Sequence, residues 1–289
     1  RETAARQNFV DWAGHPSIWG RICEAAFGSE DRDVLDFVLS AYPDLQRAQV
    51  LSLCCGDGAF ERDLVRRHAA GSVLGIDLSS ARIESAIEAT SREDENMRRA
   101  CRFKQADLNH VPFAEGRFDA VFAKSALHHL HALEDLFAHL ATLLRPEGLL
   151  IALDFFGPSR FQWTDQQLVL ANGFWQQHAP LDCRFRANGE EDLSVDRPTV
   201  EQMKSLDPSE AIRSGELIDC MKQAFVVERY LPMGGTLLNL IFWGERVNRF
   251  NPENPIHLSF INKAFDYEQA LLQRGHIPSD FALVIARPL

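Results

Sequence analysis

The chain has 289 residues but no long uninterrupted apolar run, no Gly-Lys-Ser/Thr phosphate loop and no Cys-x-x-Cys pair. The first absence excludes a membrane-spanning helix, which needs about 20 consecutive apolar residues. The second removes the nucleotide triphosphate loop that cradles phosphates with backbone N–H groups. The third leaves the six cysteines, Cys23, Cys54, Cys55, Cys101, Cys183 and Cys220, without zinc or redox spacing, so they read as scattered reduced thiols of a cytoplasmic protein. Positive charge is also scarce. Lys and Arg number 30 against 41 Asp and Glu, for a formal charge of −11. A nucleic-acid partner needs a basic face to neutralise phosphates. The two arginine clusters, Arg62/Arg66/Arg67 and Arg98/Arg99/Arg102, fall beside acids on expected helices and read as solvated faces. The N-terminal Arg1-Glu-Thr-Ala-Ala-Arg6 carries no apolar signal core, and no internal repeat or low-complexity tract occurs. What remains is a globular composition, 46% hydrophobic and 25% charged, long enough for one enlarged α/β domain or a domain with a cap.

Against this background one stretch stands out. Val50-Leu-Ser-Leu-Cys-Cys-Gly-Asp-Gly-Ala-Phe-Glu61 reads as an apolar strand, a glycine turn and a helix start, and a second strand then ends at Asp77. Gly56 and Gly58 permit backbone angles that other residues resist, so a ligand can approach the main chain. Asp77 lies 19 residues after Gly58, the distance at which a first βαβ unit presents a carboxylate to ribose hydroxyls. A dinucleotide fingerprint starting at Gly56 requires a third glycine at position 61, where the chain has Glu. With Asp57 in the turn as well, the motif suits a cofactor bearing a sulfonium and an ammonium better than a pyrophosphate. These residues point to S-adenosylmethionine, with S-adenosylhomocysteine as product.

Apolar runs alternate with helical patterns through the first half. Strands are expected at Gln49–Leu53, Ser72–Asp77, Arg102–Gln105, Phe118–Lys124 and Leu149–Phe155. Helices are expected over Ala59–His68, Ser80–Thr90 and Leu133–Leu144, the last stopped by Arg145-Pro-Glu-Gly, with the charged run Ser91–Arg99 a turn or helix end. This is the rhythm of a doubly wound parallel sheet. Residues 8–48 read as helices. Residues 158–224 hold helical segments around Thr164–Gln177, Thr199–Leu206 and Glu216–Phe225, a length that marks an insertion rather than a connection. Strand character returns at Val226–Leu231 and Phe281–Ala286; between them Thr236–Trp243 is read as helix, followed by a helix at Ile261–Gln273. The expected organisation is a helical lid (1–45), a cofactor-binding half (46–157), a helical substrate cap (158–224) and a segment completing the sheet (225–289).

Five pieces carry a family likeness: Leu51-Ser-Leu-Cys-Cys-Gly-Asp-Gly, Gly75-Ile-Asp-Leu-Ser, Gln105-Ala-Asp-Leu-Asn-His-Val-Pro-Phe, Phe118-Asp-Ala-Val-Phe-Ala-Lys-Ser-Ala-Leu-His-His-Leu and Leu144-Arg-Pro-Glu-Gly-Leu-Leu. In this order and spacing the chain resembles class I S-adenosylmethionine-dependent methyltransferases over residues 46–157, and the tail Phe281–Leu289 resembles their last strand. The resemblance implies a Rossmann-like, seven-stranded sheet with an antiparallel last strand. It implies that Cys54, Cys55, Gly56, Gly58, Asp77, Leu78, Asp107, Leu108 and Lys124 border the cofactor, with Asp107 accepting from the adenine amino group and Leu108 on the ring. Two positions depart from the family pattern. Ser52 replaces an acid, for which Asp57 or Glu61 is a compensating candidate, and Cys54 replaces glycine.

His128, His129 and His131 follow strand four, and an imidazole there can take a proton from an acceptor near neutral pH. His129 is the expected catalytic base, with His128 facing the acceptor. No further ligand at metal-site spacing is visible, so no metal is expected. Arg160, Trp163 and Tyr230 are candidates for acceptor contacts, as are Trp12 and Trp19 from the N-terminal helices. The expected activity is methyl transfer to an O or N atom of a small-molecule acceptor, natural-product or sugar-like, with no nucleic-acid or membrane partner. An NAD-dependent oxidoreductase or epimerase is the alternative, opposed by Glu61 and by a missing Tyr-x-x-x-Lys pair. A non-catalytic cofactor-binding homologue is the other, favoured by Ser52 and Cys54.

Overall fold

Seven strands form one sheet in the order β3-β2-β1-β4-β5-β7-β6. They are β1 (Gln49–Leu53), β2 (Ser72–Asp77), β3 (Cys101–Gln105), β4 (Phe118–Lys124), β5 (Leu144–Phe155), β6 (Phe225–Pro232) and β7 (Phe281–Pro288). The structure is a computed structural model that describes residues 11–114 and 116–289. The first five strands pair in parallel, with Val50 between Val73 and Ala120 and Leu53 between Ile76 and Ala123. The last strand is antiparallel. Its ladder with β6 runs from Phe281, which accepts from the Met233 amide, to Leu289, which donates to Ala224. Strands buried on both faces need continuous apolar runs, and Ala120–Ala123 and Leu149–Leu153 supply them.

Helices α1 (Pro16–Phe27), α2 (Val34–Ala41), α3 (Ala59–Arg66), α4 (Ser80–Ser91), α5 (Glu95–Ala100), α6 (Leu133–Leu143), α7 (Asp165–His178), α8 (Val200–Leu206), α9 (Leu217–Met221), α10 (Leu237–Ile241) and α11 (Pro255–Gln273) complete the order. Two expectations need correction. The charged run before β3 contains α5, capped by the Asp94 carboxylate on the Met97 amide and buried through Met97 and Ala100. Helix α6 does stop at Arg145-Pro-Glu-Gly, but β5 starts at Leu144, earlier than the expected Leu149. The expected helical stretch 8–48 contains α1 and α2, while residues 8–10 lie outside the described residues.

Compactness divides the chain into two units. One comprises Val34–Arg160, Glu201–Leu231 and Ala282–Leu289, and contains nearly all of the sheet. Its core sets Leu51, Leu53, Ile76, Val121 and Leu150 of the strands against Leu133, Leu136, Phe137 and Leu140 of α6. The other unit draws on residues 11–33, Phe161–Val200 and Pro232–Phe281, and its core is aromatic. Phe250 stacks on Phe260 with ring centroids 5.1 Å apart, and Trp175 meets both edge-on. There the buried Asp192 gathers Arg246 at 2.9 Å, Arg249 at 2.7 Å and Arg186 at 3.2 Å.

Gly58 opens α3 with φ 75°, and a Cβ there would lie 2.6 Å from the Phe103 ring and 3.0 Å from Ala86. Both the left-handed backbone and the tight α3–β3 contact demand glycine. Gly58→Ala is expected to lower unfolding free energy by about 2 kcal/mol, measured by urea denaturation; an unchanged midpoint would refute this reading of the turn.

Candidate active site

The sheet order reverses between β1 and β4, and in open α/β sheets ligands bind where loops leave such neighbours in opposite directions. The turn after β1 contains three left-handed residues, Cys54 (φ 51°), Gly56 (φ 55°) and Gly58 (φ 75°). A side chain in the left-handed conformation at Cys54 costs about 1 kcal/mol. The Cys54 sulfur lies 3.9 Å from the Ala126 carbonyl on the β4 side, whereas Cys55 packs against Gly75 on the β2 side. Burial, then the charges of Asp77 and Asp154, push the Cys54 thiol up to about 12, so it stays protonated at neutral pH.

Asp77 shapes this turn directly. One carboxylate oxygen accepts from the Gly56 amide at 2.9 Å and the other from the Ser79 amide at 2.9 Å. Each oxygen retains a lone pair for a hydroxyl. Beside it Leu78 is 64% exposed, an apolar side chain at the sheet edge where a planar base can rest. Asp107 accepts from the Asn109 amide at 2.9 Å, from its side chain at 3.1 Å and from His110 at 2.9 Å, and these bonds, that of the Asn109 amide first, hold its carboxyl below the usual range. Leu108 is buried and belongs to the core cluster, whereas Leu78 is exposed.

Ser52 and Glu61 account for the missing acid. The Ser52 hydroxyl donates to Glu61 Oε1 at 2.5 Å, and both residues are buried. A carboxylate thus reaches this position from α3 instead of from β1. Its other oxygen, Oε2, is buried with no hydrogen-bond partner, and burial raises the Glu61 pKa. The residues fit an adenosine cofactor with a cationic end: carboxylates with spare lone pairs, an exposed leucine, and a backbone turn open to close approach.

The second half of the site follows β4. Lys124 ends the strand with its Nζ 5.1 Å from the Phe60 ring, and Ser125 (φ 49°) donates its amide to Leu153. A 3-10 turn, Leu127–His129, comes next. Asp154, fully buried at the end of β5, fixes that turn: it accepts from the amides of Ala126 at 2.8 Å, Leu127 at 2.7 Å and Phe155 at 2.8 Å, and from His128 Nδ1 at 2.5 Å. Burial opposes charge on His128, but the Asp154 carboxylate outweighs it and raises the pKa. Burial and the neighbouring His128 lower that of His129.

Residues 207–216 cover this turn. Ile212 donates its amide to the His128 carbonyl at 3.0 Å, and Arg213 grips Glu134 at 2.7 and 2.9 Å and the His131 carbonyl at 2.7 Å. His129 Nδ1 lies 3.1 Å from Ser209 Oγ, which itself donates to Asp207 at 2.7 Å. The Glu210 carboxylate stands 3.6 Å from His128 Nε2 and 3.8 Å from His129 Nε2. Sequence reasoning found the two histidines and missed Glu210, Ser209 and Asp207, which lie about 80 residues downstream with no local motif. Asp154 was open to discovery, since a carboxylate at the tip of an apolar strand demands a partner.

Other expected acceptor residues sit differently. Arg160 spends its guanidinium on the Glu210 and Asp207 carbonyls, at 3.0 and 3.5 Å, bracing the covering segment rather than presenting to a ligand. Trp163 is 0% exposed, stacks on Phe161 and donates its indole N–H to Asp280, so its ring has no free face. Trp12 is buried beside Gly235, and both Trp12 and Trp19 meet Phe281 edge-on. Tyr230 is exposed on β6, its ring 6.4 Å from that of Phe156.

Residues 51–152 match a methyltransferase domain family. The malonyl-[acyl-carrier protein] O-methyltransferase of Legionella pneumophila is 30% identical over 148 residues, 49% of this chain and 50% of that protein. The 2-phytyl-1,4-naphtoquinone methyltransferase of Nostoc punctiforme is 31% identical over 125 residues, 43% of this chain and 54% of that protein. The matches therefore span about half the length of these relatives. The fold matches that of geranyl diphosphate methyltransferase in complex with S-adenosylmethionine, with a TM-score of 0.53 at 16% identity over 88% of this chain and 83% of that one. Residues 51–152 thus match a methyltransferase domain, and the cofactor class of that domain is S-adenosylmethionine.

Proposed function

We propose that the protein transfers a methyl group to an oxygen or nitrogen atom of a small-molecule acceptor, natural-product or sugar-like in character. Gly56, Gly58, Asp77, Leu78, Asp107 and the backbone around Cys54, Cys55 and Lys124 hold the cofactor, which supplies a methyl group made electrophilic by its sulfonium. The observation that carries the reading is the imidazole at the end of β4. The Ser209 hydroxyl gives its proton to Asp207 and so accepts from His129 Nδ1–H, which leaves the His129 Nε2 lone pair available. His129 is 31% exposed at its side chain against 10% for His128, so it is the imidazole that an acceptor can reach. As the acceptor attacks, His129 takes its proton at Nε2 while Ser209 and Asp207 hold the ring. The O-methyltransferase among the relatives supports oxygen over nitrogen as the acceptor atom.

The first test is calorimetric titration with S-adenosylmethionine and, separately, NAD. Micromolar binding of the first alone supports the reading, whereas binding of NAD alone overturns it. A screen of hydroxyl and amine acceptors by S-adenosylhomocysteine release then identifies the substrate. With that substrate, His129→Ala is expected to lower kcat by about 100-fold, within the usual range for a general base, with cofactor Kd unchanged. Full kcat in this variant would remove His129 from the chemistry.

A further inference from the structure

We propose that His128, His129 and Glu210 form a binding site for a zinc-like divalent cation. Their ligand atoms all lie within 4.8 Å of one another. The proton positions make the case. His128 Nδ1 faces the Asp154 carboxylate, which can only accept, so Nδ1 carries the proton. His129 Nδ1 likewise donates to Ser209, whose own proton is committed to Asp207. With both Nδ1 atoms committed to partners behind the rings, the two Nε2 atoms and a carboxylate converge on one point.

In the metal-free protein a proton on His128 Nε2 relieves that convergence, and a divalent cation takes its place. Two imidazoles and a carboxylate match the ligand preference of zinc and its neighbours. The carboxylate–imidazole and hydroxyl–imidazole contacts behind the rings are what orient metal-ligating histidines. The Nε2–carboxylate separations of 3.6 and 3.8 Å exceed by only a few tenths the roughly 3.4 Å edge of a tetrahedral zinc site with about 2.1 Å bonds. Arg160 and Arg213 brace the segment carrying Glu210 by its backbone and flanks, and leave that carboxylate to the site. Three protein ligands leave a coordination position open, the mark of a site that also takes an exogenous oxygen or nitrogen. If the methyltransferase reading holds, metal binding and the base role compete for the same His129 Nε2 lone pair.

The test is titration of chelator-treated protein with Co²⁺, followed by visible absorption, and with Zn²⁺ by calorimetry, both without cofactor or acceptor. One equivalent is expected to bind, Zn²⁺ displacing Co²⁺. Glu210→Gln and His129→Ala should each weaken binding at least 100-fold, and Ser209→Ala, behind the ligand, about 10-fold, with circular dichroism spectra unchanged. Absence of stoichiometric binding to the wild type, or equal binding by Glu210→Gln and His129→Ala, overturns the proposal. Failure of the methyltransferase reading is seen separately, as absent S-adenosylmethionine binding to the same chelated protein.

Discussion

Asp77→Ala is expected to weaken S-adenosylmethionine binding by about 100- to 1000-fold. A hydrogen bond to a charged acceptor contributes about 1.5–3 kcal/mol, and the carboxylate can offer one to each ribose hydroxyl. The substitution also frees the Gly56 and Ser79 amides, both held at 2.9 Å, so the turn loses its brace along with the ligand contact. Asp77→Asn separates the two effects. Its amide keeps one acceptor oxygen but turns an N–H₂ toward a backbone donor, so the turn stays partly braced while one hydroxyl contact is lost. An intermediate Kd is expected for Asn, with thermal midpoints reported beside the calorimetry to ensure equal folded fractions. Wild-type affinity in the alanine variant would mean that Asp77 only builds the loop.

Much of this site was legible because its elements are local. The first strands are apolar runs bounded by turn residues, and Gly56, Gly58 and Asp77 stand in one βαβ unit whose spacing reflects geometry. Leu78 and Leu108 differ in a way that the sequence does not show. Alternation at a strand end does not reveal which leucine faces the core, and here Leu108 is buried while Leu78 is exposed. The missed helix α5 is short and strongly charged; only Met97 and Ala100 anchor it, too few for periodicity to register.

The histidine centre was half legible. His128 and His129 are adjacent, yet their chemistry is set by groups 26 to 82 residues away. A sequence displays a ligand pair but not the carboxylate that the fold brings to it. Arg160 shows the converse. It was a fair candidate for anion binding by residue type, but backbone carbonyls of the covering segment already use its guanidinium. The same holds for Trp163, where an aromatic suited to stacking on a ligand is a core residue.

The unit built from residues 11–33, 161–200 and 232–281 contains a pair of buried acids that no pattern announces, and they lead to a prediction about pH. Glu268 is fully buried and accepts from the amides of Gly235, Leu237 and Leu238, capping α10 from α11. Asp280 accepts from the Trp163 indole at 2.9 Å. Burial pushes the Asp280 carboxyl up to about 7, the Trp163 and Thr236 hydrogen bonds only partly offset that, and the negative charge of Glu268 adds to the rise. The unfolded chain ionises Asp280 near pH 4, whereas the folded chain keeps it protonated to about pH 7. Stability conferred by the neutral acid is therefore complete below pH 4 and declines as pH rises, by at most about 1.4 kcal/mol per unit. The ceiling is about 4 kcal/mol, reached above pH 7. Asp280→Asn keeps an oxygen for Trp163 and cannot ionise. Its urea stability, followed by tryptophan fluorescence, is expected to fall less than the wild type's between pH 4.5 and 8, so that the variant is the more stable at pH 8. Glu268 contributes a loss of the same sign to both proteins, so the difference between the two curves belongs to Asp280 together with its coupling to Glu268. Parallel curves would mean that Asp280 is ionised in the folded chain throughout this range, and that the carboxylates at positions 268 and 280 share their pocket as two charges.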